Sequence, residues 1–208
     1  TLSVSAETTR IYDLHDRLIG QFASEKGIYA RSVDDLPVFL KKALVASEDS
    51  EFYEHAGIDY PAIARAMGVN LRHMRKSQGG STLTQQLAKI LFTTRRKTYG
   101  RKIFELLCAR KLESKFTKDQ ILLMYLNYAY FGHGAFGVEA ASLMYFGKHT
   151  RDLELAEAAL LVGLLPNPHR YSPYDYPDLA RARHRTVLNR MAKKTYIPTT
   201  AVERYCGD

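Results

Sequence analysis

The chain has 208 residues, 46% hydrophobic and 25% charged, the balance of a packed globular protein, which excludes disordered, collagenous and coiled-coil chains. Thirty Lys and Arg against 22 Asp and Glu leave a net charge of +8, an excess that favours a polyanionic partner: nucleic acid, a phosphorylated ligand or an anionic membrane face. No apolar run reaches the ~18 residues of a spanning helix, and the two cysteines, Cys108 and Cys206, make neither a disulfide framework nor a zinc spacing. The chain opens on Thr1 without a signal-peptide pattern, so it is expected to be a piece of a longer protein.

Residues 9–23 alternate around a polar centre at Asp16 and Arg17, which predicts a short β-hairpin. After Gly27 the periodicity turns helical. Pro37 suits the first turn of a helix carrying Val38, Phe39, Ala43, Leu44 and Ala46. Pro61 opens a second, through Ile63, Met67, Val69 and Leu71, and Ser81 or Thr82 caps a third that reaches Phe92. A fourth runs over about 100–115, and a fifth, capped by Thr117, over 118–130. The glycine-rich loop FGHGAFG interrupts at 131–137. Helices follow near 138–146, 153–165 and 178–194, with a last turn from Pro198. PNPHRYSPYDYP, 166–177, reads as a loop. The fold is expected to be mostly α, with a short N-terminal β-hairpin.

Three stretches carry chemistry. ASEDSEFYEHAG, 46–57, gathers Glu48, Asp49, Glu51 and Glu54, with His55, at the end of an apolar helix. Acids sit badly there, because the dipole favours cations at that end, so a positive partner is expected from elsewhere. His55 alone reads as a structural hydrogen-bonder. QGGSTLTQQLAK, 78–89, places a flexible Gly79–Gly80 turn before a helix start with hydroxyls at Ser81, Thr82 and Thr84, an arrangement suited to anions. It is not a P-loop, since the GxxxxGK[ST] spacing is absent. TTRRKTYGRKIFE, 93–105, carries Arg95, Arg96, Lys97, Arg101 and Lys102, with Arg101 and Glu105 on one helix face. The bland reading of this run is a solvated basic face.

Taken together and in order, the stretches around EDSEFYEHAG, GGSTLTQQLAK, RKIFE, ILLMYLNYAYFGHGAFGVEAA and ALLVGLLPNPHRYSP resemble the motifs of the family 51 peptidoglycan glycosyltransferases. That family includes monofunctional enzymes and the N-terminal catalytic domain of class A penicillin-binding proteins. The resemblance covers about residues 36–193. It implies a lysozyme-like helical head and a smaller, membrane-facing jaw, here about 60–100, within a glycosyltransferase domain at 31–208 that follows a linker and hairpin at 1–30. It also implies polymerisation of lipid II on the outer face of the bacterial cytoplasmic membrane. In that reaction the 4-hydroxyl of the incoming disaccharide attacks the reducing-end muramyl carbon of the growing glycan chain. Undecaprenyl pyrophosphate leaves, and an α-linkage becomes β-1,4.

Carried over residue by residue, the resemblance puts the catalytic base on Glu48 and a second functional glutamate on Glu105. Substrate contacts fall on Ser81, Thr82, Gln86, Lys89, Tyr125, Asn127 and Tyr130. Lys97, Arg101 and Lys102 are the further cations expected to meet the pyrophosphate. Two positions depart from the family pattern: Ile90 follows Lys89 where Asn is common, and Phe104 precedes Glu105 where Lys is common. The resemblance also implies inhibition by the phosphoglycolipid moenomycin, a divalent cation (Mg or Mn) as a possible cofactor, and a transpeptidase domain C-terminal in the parent chain. Candidate membrane anchors are Met67, Leu71, Met74, Leu91 and Phe92, flanked by Arg72, Arg75, Arg95 and Arg96. Three other classes compete. A two-carboxylate glycan hydrolase leaves GGSTLTQQL and the basic run without a purpose. A nucleic-acid binder lacks a helix-turn-helix or RNP signature, so no nucleic-acid partner is expected. A scaffolding domain requires a defective cleft.

Overall fold

The computed structural model describes residues 9–12, 18–22, 30, 32–65, 80–92 and 99–206, with the backbone alone at 9–12, 18–22 and 99. Two short strands, β1 (Thr9–Tyr12) and β2 (Leu18–Phe22), pair antiparallel. The register runs from Thr9 opposite Phe22 to Tyr12 opposite Leu18, with an irregularity between Ile11 and Tyr12. Asp16 and Arg17, the expected turn, lie outside the described residues.

The rest is helical: α1 (Val38–Glu48), α2 (Leu83–Phe92), α3 (Tyr99–Lys115), α4 (Lys118–Tyr128), α5 (Val138–Phe146), α6 (Leu155–Leu164), α7 (Pro177–Lys193) and α8 (Thr199–Cys206). Of the helix expected from Pro61, residues 60–65 are helical and the remainder lies outside the described residues, as does about half of the expected jaw.

Sequence chemistry sets the boundaries. Thr117 closes a capping box on α4: its hydroxyl accepts from the Gln120 amide, and the Gln120 side chain accepts from the Thr117 amide. The expectation of helix through residue 130 fails at the other end. Ala129 turns extended, and Tyr130 forms an isolated antiparallel bridge to Phe136 across the glycine loop. Pro177 occupies the first turn of α7, where its missing N–H costs no hydrogen bond. The expected turn after Pro198 extends into the eight residues of α8.

Helix α1 buries Leu40, Ala43, Leu44, Val45 and Ala46, so it is apolar around most of its circumference and belongs inside. It packs on α6 and α7, while α2 packs on α3 and α4. One continuous core joins the two groups, with Leu40, Leu44, Phe52, Leu83, Leu87, Leu122, Leu161 and Leu188 fully buried. Leu91 and Phe92, two of the expected membrane anchors, are half-buried against this core; their amphipathic helix turns them inward. The other anchor candidates and their flanking arginines lie outside the described residues.

Gly137 closes the glycine loop at φ +85, where a Cβ would stand 2.7 Å from the Asn127 carbonyl oxygen. Gly137→Ala is therefore expected to cost about 2 kcal/mol or more, from backbone strain together with the clash. In a chain of this size that lowers the thermal midpoint by roughly 4 °C or more. A parental melting curve for this variant would contradict the steric argument.

Candidate active site

The stretch after α1 is fixed to the start of α2 by one buried carboxylate. Asp49 Oδ2 accepts from the Leu83 amide at 2.8 Å, at the first residue of α2. Both Asp49 oxygens lie 3.0 Å from His55 Nε2. Gly57 donates its amide to His55 Nδ1 at 3.1 Å, and a backbone N–H can only donate, so the imidazole proton sits on Nε2, facing Asp49. The next turn is tied the same way. Thr82 donates its hydroxyl to the Gly57 carbonyl at 2.7 Å and caps α2 through the Gln85 amide. Gln85 Nε2 donates to the same carbonyl. Lys118 adds a bond to the His55 carbonyl at 2.6 Å, pairs with Glu113 at 2.8 Å and lies over the Phe52 ring. Glu113 in turn accepts from Thr84 at 2.6 Å.

On this frame α2 serves two carboxylates with two consecutive side chains. Gln86 reaches Glu48, Nε2 to Oε2 at 3.3 Å. Its amide orientation is set by Tyr125, whose hydroxyl donates to Gln86 Oε1 at 3.0 Å. Burial, and secondarily the Glu48 charge, push the Tyr125 hydroxyl far above the usual phenol range, so it stays a donor. Gln85 turns the other way and accepts from Lys102 Nζ at 3.1 Å. Lys102 also donates to Ser81 Oγ at 3.0 Å and lies 3.4 Å from Glu105 Oε2. Arg101 Nε stands 3.0 Å from Glu105 Oε1, a close ion pair outside hydrogen-bond alignment. Glu105 is buried, with a cation at each oxygen.

The structure thus brings Glu48, Gln86 and Tyr125 into one cluster and Ser81, Arg101, Lys102 and Glu105 into another, with Thr82 anchoring the helix that joins them. Asn127 is engaged elsewhere: its side chain exchanges two hydrogen bonds with the backbone of Ala30, at 2.9 and 3.1 Å. Tyr130 packs on Phe136, ring centroids 4.7 Å apart, and accepts from the Gly134 amide. Lys89 and Ile90 are exposed on α2 and Phe104 is exposed on α3; Lys97 lies outside the described residues. Among the described residues no three His, Cys, Asp or Glu side chains group to hold a metal ion.

Sequence reasoning missed Arg183 and Arg190 of α7. Arg183 Nη2 lies 3.5 Å from Glu48 Oε1, and Arg190 donates to the Ser47 carbonyl. The misplaced acids at the end of α1 were the available signal, and these arginines are the partner that they demand.

The sequence profile of a family described as Transglycosylase matches residues 15–192. The chain belongs to this family, the family 51 peptidoglycan glycosyltransferases. It is 48% identical over 191 residues to penicillin-binding protein 1A of Aquifex aeolicus, covering 92% of this chain and 26% of that protein. It is 43% identical over 166 residues to penicillin-binding protein 1F of Bacillus subtilis, covering 80% and 23%. The chain therefore spans about a quarter of the length of these relatives. The crystal structure of penicillin-binding protein 1A from Haemophilus influenzae matches 98% of this chain and 20% of its own, at TM-score 0.50 and 21% identity, a likeness of fold.

Asp49→Asn tests the frame. The introduced amide N–H would face the His55 Nε2–H, or else leave the Leu83 amide unmatched. The histidine cannot change tautomer without orphaning the Gly57 N–H. Loss of one charge-assisted bond at a buried site costs roughly 1.5–3 kcal/mol, a fall of about 3–10 °C in thermal midpoint. A midpoint within a degree of the parent would show that Asp49 does not carry the junction.

Proposed function

We propose that this chain polymerises lipid II into β-1,4 glycan strands with inversion at the anomeric carbon. Glu48 acts as general base and takes the proton of the acceptor's 4-hydroxyl as that oxygen attacks the donor's muramyl C1. The bond from C1 to the pyrophosphate oxygen breaks, and undecaprenyl pyrophosphate leaves with the electron pair. A hydroxyl nucleophile needs a base, worth typically ~10²–10⁴ in rate. A pyrophosphate leaving group needs positive charge more than a proton donor. The observation that carries this reading is the division of labour along α2: a carboxylate at Gln86, largely shielded but not sealed, and a cation cluster at Gln85.

In this reading Lys102 and Arg101, with Lys89 on the same helix as the glutamines, receive the diphosphate. Glu105 orients the first two rather than transferring a proton. The surroundings of α3 also suit an anionic membrane surface. Ile103, Phe104 and Leu107 are exposed on one side of it, with Lys102, Arg110 and Lys111 exposed beside them. No described helix is long and apolar enough to cross a membrane. The likeness to penicillin-binding proteins supports a place at the outer face of the cytoplasmic membrane. The additional length of the penicillin-binding relatives fits a transpeptidase domain in the parent.

Glu48→Gln keeps the side chain's size and removes the base. Incubated with lipid II, it is expected to lose polymerisation by two orders of magnitude or more, with an unchanged circular dichroism spectrum. Turnover within about threefold of the parent would remove Glu48 from the base's role, since that is far less than one general-base effect. Release of cleaved glycan in place of polymer by the parent would favour a hydrolase.

The cation cluster has its own test. Moenomycin carries a phosphoglycolipid head like the donor's, so Lys102→Ala, Arg101→Ala and Lys89→Ala should each weaken it in calorimetric titration. A charge-assisted contact is worth roughly 1.5–3 kcal/mol, a factor of about 10 to 150 in affinity. Parental affinity in all three folded variants would mean that these cations do not meet the diphosphate.

A further inference from the structure

Glu48 is the last residue of α1, where its charge faces the negative end of the helix dipole. Its side chain is nevertheless only 12% exposed. A carboxylate so placed requires cations, and they come from α7, a helix remote in sequence. Arg183 brings Nη2 to 3.5 Å from Glu48 Oε1, with 16% of its own side chain exposed. Arg190, seven residues on and therefore on the same helix face, donates to the carbonyl of Ser47, one of the end carbonyls that α1 cannot satisfy internally. Burial and the neighbouring Arg183 hold the Arg190 guanidinium below its ordinary value, while the Glu48 charge pulls it upward. The three charges are therefore electrostatically linked.

Arg183 is itself held in place. A Cβ on Gly163 of α6 would stand 3.3 Å from Arg183 Cγ, so the absent side chain leaves room for its stem. The guanidinium lies 5.7 Å from the centre of the Tyr171 ring. Its Nε is buried without a hydrogen-bond partner among the described residues. The geometry at the carboxylate is informative as well. Arg183 approaches Oε1 and Gln86 approaches Oε2, one contact per oxygen. Each oxygen has two lone pairs, so one on each remains for a proton.

We propose that Arg183 is the positioning residue for the base: it fixes the Glu48 carboxylate in one orientation and compensates its charge without occupying both of its lone pairs. Arg190 anchors the helix end that carries Glu48. The inference rests on the reading of Glu48 as the base. Without Arg183 the shielded carboxylate is held by Gln86 alone and swings out to water, where it no longer meets the acceptor hydroxyl. Arg183 acts through Glu48, so its loss is expected in kcat and not in KM.

The experiment is steady-state polymerisation of lipid II by the parent chain, Arg183→Ala, Arg183→Gln and Arg183→Lys, each with its thermal midpoint. Arg183→Gln retains most of the side chain's volume and replaces the alanine variant should that chain not fold. Expected is a 10- to 100-fold fall in kcat for Ala and Gln, part of the ~10²–10⁴ that a general base supplies, with KM within about twofold. Lys should recover a large part of kcat, and added guanidinium should raise the rate of the alanine variant. Parental kcat in Arg183→Gln overturns the inference. So does a loss that Lys and guanidinium leave untouched and that follows the fall in thermal midpoint, because Arg183 would then merely hold α7 against α1. A parent chain that makes no polymer sinks the functional reading and this inference with it; a polymerising parent matched by Arg183→Gln sinks this inference alone.

Discussion

The Asp49 carboxylate is the point on which the site hangs. It receives the Leu83 amide and the His55 ring together, so the end of α1 and the beginning of α2 cannot move independently. An N-terminal amide of a helix is an unsatisfied donor in search of an anion. Here that anion comes from the residue directly after Glu48, which means that capping α2 also places Glu48 beside it. His55 extends the constraint by one loop, because its two nitrogens are matched to an acceptor and a donor of opposite kind. Removing any one partner leaves a buried polar atom unmet, at a cost comparable to a tenth or more of a typical domain's ~5–15 kcal/mol.

From this junction α2 distributes chemistry by helical geometry alone. Consecutive residues on a helix point about 100° apart, so Gln85 and Gln86 face different neighbours from nearly the same height. One meets the cation cluster of α3 and the other meets Glu48. The helix is amphipathic in an unusual sense: Leu83, Leu87 and Ala88 are buried in the core, while the polar positions between them are spent on partners rather than on water. Thr84 and Gln85 are themselves buried, and each has a hydrogen-bond partner, as burial of a polar side chain requires.

Much of this was legible in the sequence. The apolar periodicity of 38–48 and 155–164 marks helices that end up central, and Thr117 marks a start that its capping box confirms. The resemblance singles out Glu48, Gln86 and Glu105, and the basic run singles out Lys102; these lie in the two clusters. The pairing of Arg183 with Glu48 was not legible, because it links residues 135 positions apart and no local pattern distinguishes it from the other arginines of α7. The acids at the wrong end of α1 pointed to a missing cation without saying where it comes from. The packing of Asn127 was not legible either: its side chain exchanges two hydrogen bonds with the backbone of Ala30, 97 positions away. Helix α4 ends two residues early for a similar reason, since the bridge from Tyr130 to Phe136 is a pairing across a loop that helical propensity cannot anticipate.

The basic excess acquires a more specific meaning once the partners are known. Much of it near the site is already matched: Arg183 to Glu48, Arg101 and Lys102 to Glu105, Lys118 to Glu113, and Lys194 to Glu51. Lys102 has three donor protons, and Ser81, Gln85 and Glu105 offer three acceptors. In the proposed reaction a diphosphate entering this cluster would not meet idle charge; it would have to exchange with an acceptor already in place. Ser81 is the exposed member of the three, and Lys102 keeps nearly half of its side chain accessible, so the exchange is cheapest on the solvent side. Glu105 is buried behind it and pairs with both Arg101 and Lys102. A carboxylate in that position keeps two cations together that would otherwise repel each other, which is what a doubly charged leaving group needs to find already assembled.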